Sequence, residues 1–240
     1  MPDPMSPPSD YPAVADATIP PLGRFLAEGS ALVTWPFTAR TARRIAAARR
    51  GDGRAVMVIP GFLAGDPMTS RLRRMLRIAG YAPHGWGLGF NRGVTADLLA
   101  RMQGRLEHVA RADAGPISLV GWSLGGLYAR EMAKLRPDLI DRVITLGSPF
   151  SGDPRANRAW RRYEALNGHP VDRLPIPVDL PAKPPVRTFA LWSAQDGIVA
   201  PATTHGQPGE ADHVMRVACR HIDFVTAPAA LAAILDALEA

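Results

Sequence analysis

A chain of 240 residues with 47% apolar and 21% charged side chains is long enough for one domain with a full hydrophobic core, and its composition is ordinary for a globular protein. Its single cysteine, Cys219, excludes an internal disulfide framework or a cysteine metal cluster, and reads as a small buried hydrophobe. The net charge of +6 comes mostly from arginines beside apolar helix positions, as in RLRRMLR at 71–77, which describes a solvated helix face and argues against a nucleic-acid-binding stripe.

Residues 1–21 carry Pro2, Pro4, Pro7, Pro8, Pro12, Pro20 and Pro21 and read as an extended arm. The opening MPDPMSPPSD has no basic stretch leading into an apolar one, so no secretory signal is visible. No apolar run approaches the roughly 18 residues that span a bilayer, and the expected location is the cytoplasm. Residues 22–48 are expected to form two short helices broken at Pro36, with Leu22, Phe25, Leu26, Leu32 and Val33 packing on the domain. Contact between these helices and a membrane surface is the minor reading. Arm and helices together make an N-terminal unit over residues 1–50, ahead of a domain over 51–240.

From Arg54 the pattern alternates. The apolar run AVMVI at 55–59, closed by Pro60-Gly61, reads as a strand buried on both faces. A helix over 67–79, a strand over 81–88 and a helix over 94–112 follow, the last with Leu98, Leu99, Met102, Leu106 and Val109 on one face. Further strands are predicted at 117–120, 143–146, 186–191 and 214–218, with helices over 124–135, stopping before Pro137, and over 229–238. Strands alternating with helices predict an α/β fold with a parallel sheet, whose catalytic groups gather beyond the carboxyl ends of the strands. Residues 150–185 are too long for an ordinary connection. Trp160, Tyr163 and Leu166 there have helical spacing, beside Arg155, Arg158, Arg161 and Arg162. That pattern fits either a cover over an apolar pocket or a surface helix.

Ser123 falls between a predicted strand and a predicted helix, in Gly121-Trp122-Ser123-Leu124-Gly125. A serine hydroxyl is a weak nucleophile and needs an exposed position, a base and donors for the oxyanion it creates. A sharp strand-to-helix turn supplies the exposure, flanking glycines make room for it, and the N–H of Leu124 at the helix start is aimed at the substrate oxygen.

With VIPGFLAG at 58–65, GWSLGGLYARE at 121–131, VITLGSPF at 143–150, LWSAQDGIV at 191–199 and CRHIDFVTAPAAL at 219–231, the chain from about Arg54 onward resembles the α/β-hydrolase superfamily, and within it the bacterial serine esterases and lipases. The resemblance implies an α/β-hydrolase fold: a mostly parallel sheet of about six strands, helices on both faces and a short cap insertion. It implies the order nucleophile, acid, histidine. Ser123 is then the nucleophile and Asp196, in the loop after the strand that follows the insertion, the acid. His221, just past the carboxyl end of the last strand, is the base, with His205 as the alternative. His213 sits at the wrong end of that strand, and His84, His108 and His169 precede the acid and read as surface or core residues. The resemblance points to Phe62 as the second oxyanion donor, with Leu63 next, although Pro60 stands where such enzymes often have histidine. Trp122, Phe150 and Trp160 are expected at the substrate, and the loop 85–93 in the pocket wall, with Asn91 or Arg92 tying loops together.

The expected activity is hydrolysis of carboxylic esters of small molecules or lipids through an acyl-enzyme, without metal or organic cofactor and without nucleic acid. An acyltransferase or cofactor-free perhydrolase would use the same triad, and a noncatalytic binding protein would keep only the fold. A serine at 123 is unlike the aspartate nucleophile of epoxide hydrolases and haloalkane dehalogenases on this fold.

Overall fold

Side chains alternate across a strand, so a strand buried on both faces must feed two separate cores, and here it does. In the computed structural model, which describes residues 13–113 and 115–240, Val56 and Val58 face one core and Ala55, Met57 and Ile59 the other. Strands β1 (Ala55–Ile59), β2 (Ala82–Gly85), β3 (Ile117–Trp122), β4 (Ile140–Leu146), β5 (Arg187–Trp192) and β6 (His213–Arg216) pair in the order β2-β1-β3-β4-β5-β6. Every neighbouring pair is parallel.

The helices are α1 (Leu22–Glu28), α2 (Ala31–Ala47), α3 (Asp66–Ile78), α4 (Leu98–Asp113), α5 (Leu124–Leu135), α6 (Trp160–Asn167), α7 (Pro201–His205) and α8 (Pro228–Glu239). Leu72 and Leu76 of α3 and Ile234 and Leu235 of α8 cover one face of the sheet. Leu98, Met102 and Leu106 of α4, with Tyr128 and Met132 of α5, cover the other. After β2 the chain crosses back past β1 to form β3, so the strand order reverses between β1 and β3. Such a reversal opens a crevice beyond the carboxyl ends of those two strands, the usual place for a ligand on an open parallel sheet.

Several expected boundaries move for identifiable reasons. β2 ends at Gly85 rather than at 88 because the N–H groups of Trp86 and Gly87 donate to the Asp66 carboxylate, at 3.1 and 3.0 Å, and Gly87 turns to φ +71°. α4 begins at Leu98, not at 94, after a turn in which Leu98 N–H donates to Thr95 O. The break between the first two helices falls at Gly29-Ser30, and α2 runs on through Pro36. Most of the arm expected over 1–21 lies outside the described residues, and so do the side chains of Leu32 and Val33. Leu22, Phe25 and Leu26 do not form the packed stripe that was expected, since they are 59%, 41% and 68% exposed. The residue that α1 buries is Glu28. Among the described residues, no helix is long and apolar enough to cross a membrane.

Candidate active site

Loops following β1, β3, β4, β5 and β6 converge at one end of the sheet. Ser123 lies directly between β3 and α5 with φ +55° and ψ −123°, a strained conformation for a residue with a side chain. Its backbone is pinned on both sides: its N–H donates to Leu146 O at 2.8 Å, and its carbonyl accepts from Gly126 N–H at 3.0 Å. The flanking glycines are required by backbone crowding. A Cβ on Gly121 would overlap Gly125 and Gly126, and one on Gly125 would overlap the carbonyls of Ile59 and Pro60. The helix start is thus pressed against the end of β1, and the serine is forced outward at the apex.

Asp196 is fully buried in the loop after β5. Its Oδ1 accepts from the N–H groups of Ile198 and Val199, at 2.9 and 2.7 Å, which leaves Oδ2 to accept from Nδ1 of His221 at 2.6 Å. His221 is itself 3% exposed. Because a carboxylate can only accept, Nδ1 carries the proton, and Nε2 keeps its lone pair as a base. Trp122 Nε1 donates to the His221 carbonyl at 3.0 Å and fixes the height of that loop. Burial pushes the His221 pKa down, but the carboxylates of Asp196 and Glu28 push it up by more, and it ends above the ordinary 6.5.

The other histidines after the acid are engaged elsewhere. His205 is buried in α7 with Nδ1 against the Gly206 carbonyl at 2.8 Å, edge-on to Trp192. His213 stacks on Phe189 at the amino end of β6, across the sheet from His221. Burial pushes the Cys219 thiol pKa far up, which removes its thiolate at neutral pH.

On the turn after β1, Leu63 takes φ +57°, and its N–H is already given to Asn91 O at 2.7 Å. Phe62 is the remaining candidate donor on that turn, opposite Leu124, whose N–H stands at the first position of α5, where no intrahelical acceptor exists. Asn91 holds the turn in place. It is buried, its N–H donates to Ala64 O, its Nδ2 to Pro60 O, and its Oδ1 accepts from Tyr128 and from Gly93 N–H.

Phe62, Ser123, Leu124 and Trp160 line one apolar cavity of about 100 Å³. Trp122 and Phe150 do not: Trp122 belongs to the core against His221, and Phe150 lies under the Arg130 guanidinium at 4.2 Å. The 150–185 insertion walls much of this cavity, through Trp160 and Tyr163 of α6 and through Ile176, Val178 and Leu180. It is braced internally by Arg155, paired with Asp172 and Glu164, and tied to the domain by Tyr163, whose hydroxyl accepts from Val94 N–H, and by Arg130. Arg130, 1% exposed, donates to the carbonyls of Leu180, Pro181, Ala182 and Glu210.

Sequence reasoning missed three residues here. Gly147, after β4, has φ +56°, and a Cβ there would press on Phe224, Asp196 and His221. A glycine closing an apolar strand run was a usable signal for it. Arg130 and Glu28 gave none, because a charged residue inside a helix normally faces water. Among the described residues, no group of three or more His, Cys, Asp or Glu could hold a metal ion.

No family model matches the sequence. Over 62 residues the chain is 39% identical to the biotin biosynthesis bifunctional protein BioHC of Teredinibacter turnerae, a match covering 26% of this chain and 10% of that protein. Among solved structures, it resembles a monoacylglycerol lipase from Paleococcus ferrophilus, with a TM-score of 0.55 at 16% identity over 78% of this chain and 95% of the other. It also resembles naproxen esterase, carboxylesterase NP, from Bacillus subtilis, with a TM-score of 0.57 at 13% identity over 80% and 85% of the two chains. The chain has the α/β-hydrolase fold.

Proposed function

We propose that the protein is a serine hydrolase that cleaves carboxylic esters through an acyl-enzyme, with Ser123 as nucleophile, His221 as base and Asp196 as orienting acid. The observation that carries this reading is the buried 2.6 Å contact between Asp196 and His221, at the same sheet end as a serine held at positive φ. His221 Nε2 takes the hydroxyl proton as Ser123 Oγ bonds to the acyl carbon. The N–H groups of Phe62 and Leu124 stabilise the oxyanion, and the alcohol leaves with the proton from His221. Water then bonds to the acyl carbon as His221 takes its proton, and the acyl–Ser123 bond breaks as that proton returns to Ser123 Oγ and the acid is released, steps that require no metal or organic cofactor.

The cavity favours a short acyl group. Its volume of about 100 Å³ is smaller than the roughly 150 Å³ that holds one benzene ring in an apolar protein interior. Two of its fold neighbours bear ester-hydrolase names, which accords with the reading. The test is covalent labelling by a fluorophosphonate probe together with hydrolysis of p-nitrophenyl butyrate and its longer homologues. Ser123→Ala should abolish labelling, and both Ser123→Ala and His221→Ala should lose on the order of 10⁴-fold or more in kcat. Labelling at Ser123 without ester turnover would redirect the reading to another acyl acceptor. A folded protein that the probe does not label would end it.

A further inference from the structure

We propose that Glu28, on the N-terminal helix α1, is a positioning residue for the catalytic pair, holding the acid loop and the histidine loop in register through one buried carboxylate. The assignment rests on the roles given above to Asp196 and His221.

Glu28 is 3% exposed although it lies in a short helix whose apolar residues face solvent. Its Oε1 accepts from Gly197 N–H and from His221 N–H, both at 2.9 Å, and its Oε2 accepts from Ile222 N–H at 3.0 Å. Gly197 immediately follows the acid, and His221 is the base, so one side chain from a third segment ties together two loops separated by more than twenty residues of sequence. Among the described residues no cation pairs with it, and the three N–H groups carry the compensation for its burial. A carboxylate withdrawn from water is strongly destabilised unless fully hydrogen-bonded, so this contact fixes the positions of its donors narrowly.

The surroundings are shaped to receive α1. A Cβ on Gly197 would overlap the Arg24 carbonyl and approach Phe25 N to 2.8 Å, so only glycine lets the helix sit this close. Arg158 of the insertion donates to Pro20 O and lies over the Phe25 ring at 5.3 Å. Arg220, next to the histidine, donates to the Ala27 carbonyl and to the Ser30 hydroxyl. The exposed apolar residues of α1 follow from this: the helix docks through its carboxylate end and its backbone.

Position alone would make Glu28 a structural cap. Its charge adds a second effect, since an anion near His221 stabilises the imidazolium that forms as Ser123 is deprotonated, in the same sense as Asp196. The ionisable groups around the imidazole are Glu28 from α1, Asp196 from the loop after β5, and Cys219 with the Arg220–Asp223 ion pair from its own loop. Of these, Glu28 can be neutralised by glutamine without touching the Asp196–His221 hydrogen bond.

Glu28→Gln and Glu28→Ala test this in the full chain. Glutamine keeps one oxygen for Gly197 and His221 but turns its amide N–H against that of Ile222, whereas alanine removes all three acceptors. Expected are kcat losses of roughly 10-fold for Gln and up to about 100-fold for Ala, with KM unchanged because Glu28 does not line the cavity. In Glu28→Gln the ascending limb of the pH–rate profile and the NMR titration midpoint of the His221 imidazole should both move to lower pH. A merely structural cap would lower thermal stability without moving either midpoint. A folded Glu28→Gln protein with wild-type kcat and an unmoved imidazole midpoint overturns the proposal. The imidazole titration needs no turnover. If the wild type failed to hydrolyse esters, the catalytic reading would fall separately, and the midpoint would still decide whether the Glu28 charge acts on His221.

Discussion

Gly147 is the sharpest place to test whether the acid–base pair is as tightly packed as the geometry implies. Substitution by alanine acts through two costs that can be separated. The backbone is at φ +56°, where an L-residue is strained by about 1–2 kcal/mol. The added Cβ would stand 2.7 Å from Phe224 Cε2, 3.1 Å from Asp196 Oδ2 and 3.2 Å from His221 Nδ1. Overpacking of that kind costs about 1–3 kcal/mol. The sum, about 2–5 kcal/mol, should lower the melting temperature by roughly 5–20 °C for a chain of this length. Because two of the three contacts are to the candidate acid and base, relief of the clash must move one of them, and a displacement near 1 Å costs about 100-fold in kcat. Gly209, at φ +89° with open space around it, is the control: alanine there carries the backbone cost alone. Calorimetric unfolding and steady-state ester hydrolysis read the two quantities. If Gly147→Ala matched Gly209→Ala in both, the pair would not be packed as described.

Three further predictions concern His221 and Arg130. With the His221 pKa raised in the folded protein, kcat/KM should climb with pH to a midpoint above 6.5, since the base must be neutral. The matching contribution to stability is fully present below the unfolded-state value near 6.5 and is lost as pH rises through the folded one, so the pH dependence of the melting temperature should flatten over that window in His221→Gln. Burial pushes the Arg130 guanidinium pKa down to about 10, so it is charged at neutral pH and its carbonyl contacts are charge-assisted. Arg130→Met should therefore cost about 2 kcal/mol or more in urea unfolding and raise the KM for butyrate esters several-fold by loosening Val178 and Leu180. An unchanged KM would show that Arg130 does not hold that wall.

What the sequence disclosed and what it withheld divide along the distance over which each interaction acts. The turn at Ser123 was legible because its cause is local: a buried strand, two glycines and a helix start occupy about fifteen consecutive residues, and the backbone has one compact way to join them. The parallel sheet was legible for a similar reason, since its central strands are short apolar runs between amphipathic helices. The edge of β2 was misjudged because Asp66, some twenty residues earlier, captures the N–H groups that would have extended it. The face of α1 was misjudged because apolar spacing assumes that a helix docks by burying hydrocarbon, whereas this one docks by satisfying backbone donors on loops some 170 to 190 residues away. Buried carboxylate contacts of this kind leave no periodic trace in a sequence. They depend on which N–H groups the fold leaves without partners, and in a sheet with five loops meeting at one end, those groups are concentrated around the site. Charged residues recruited from distant segments are therefore to be expected buried behind such a site, and Glu28 and Arg130 are placed there by the same requirement, one accepting from backbone N–H groups and the other donating to backbone carbonyls.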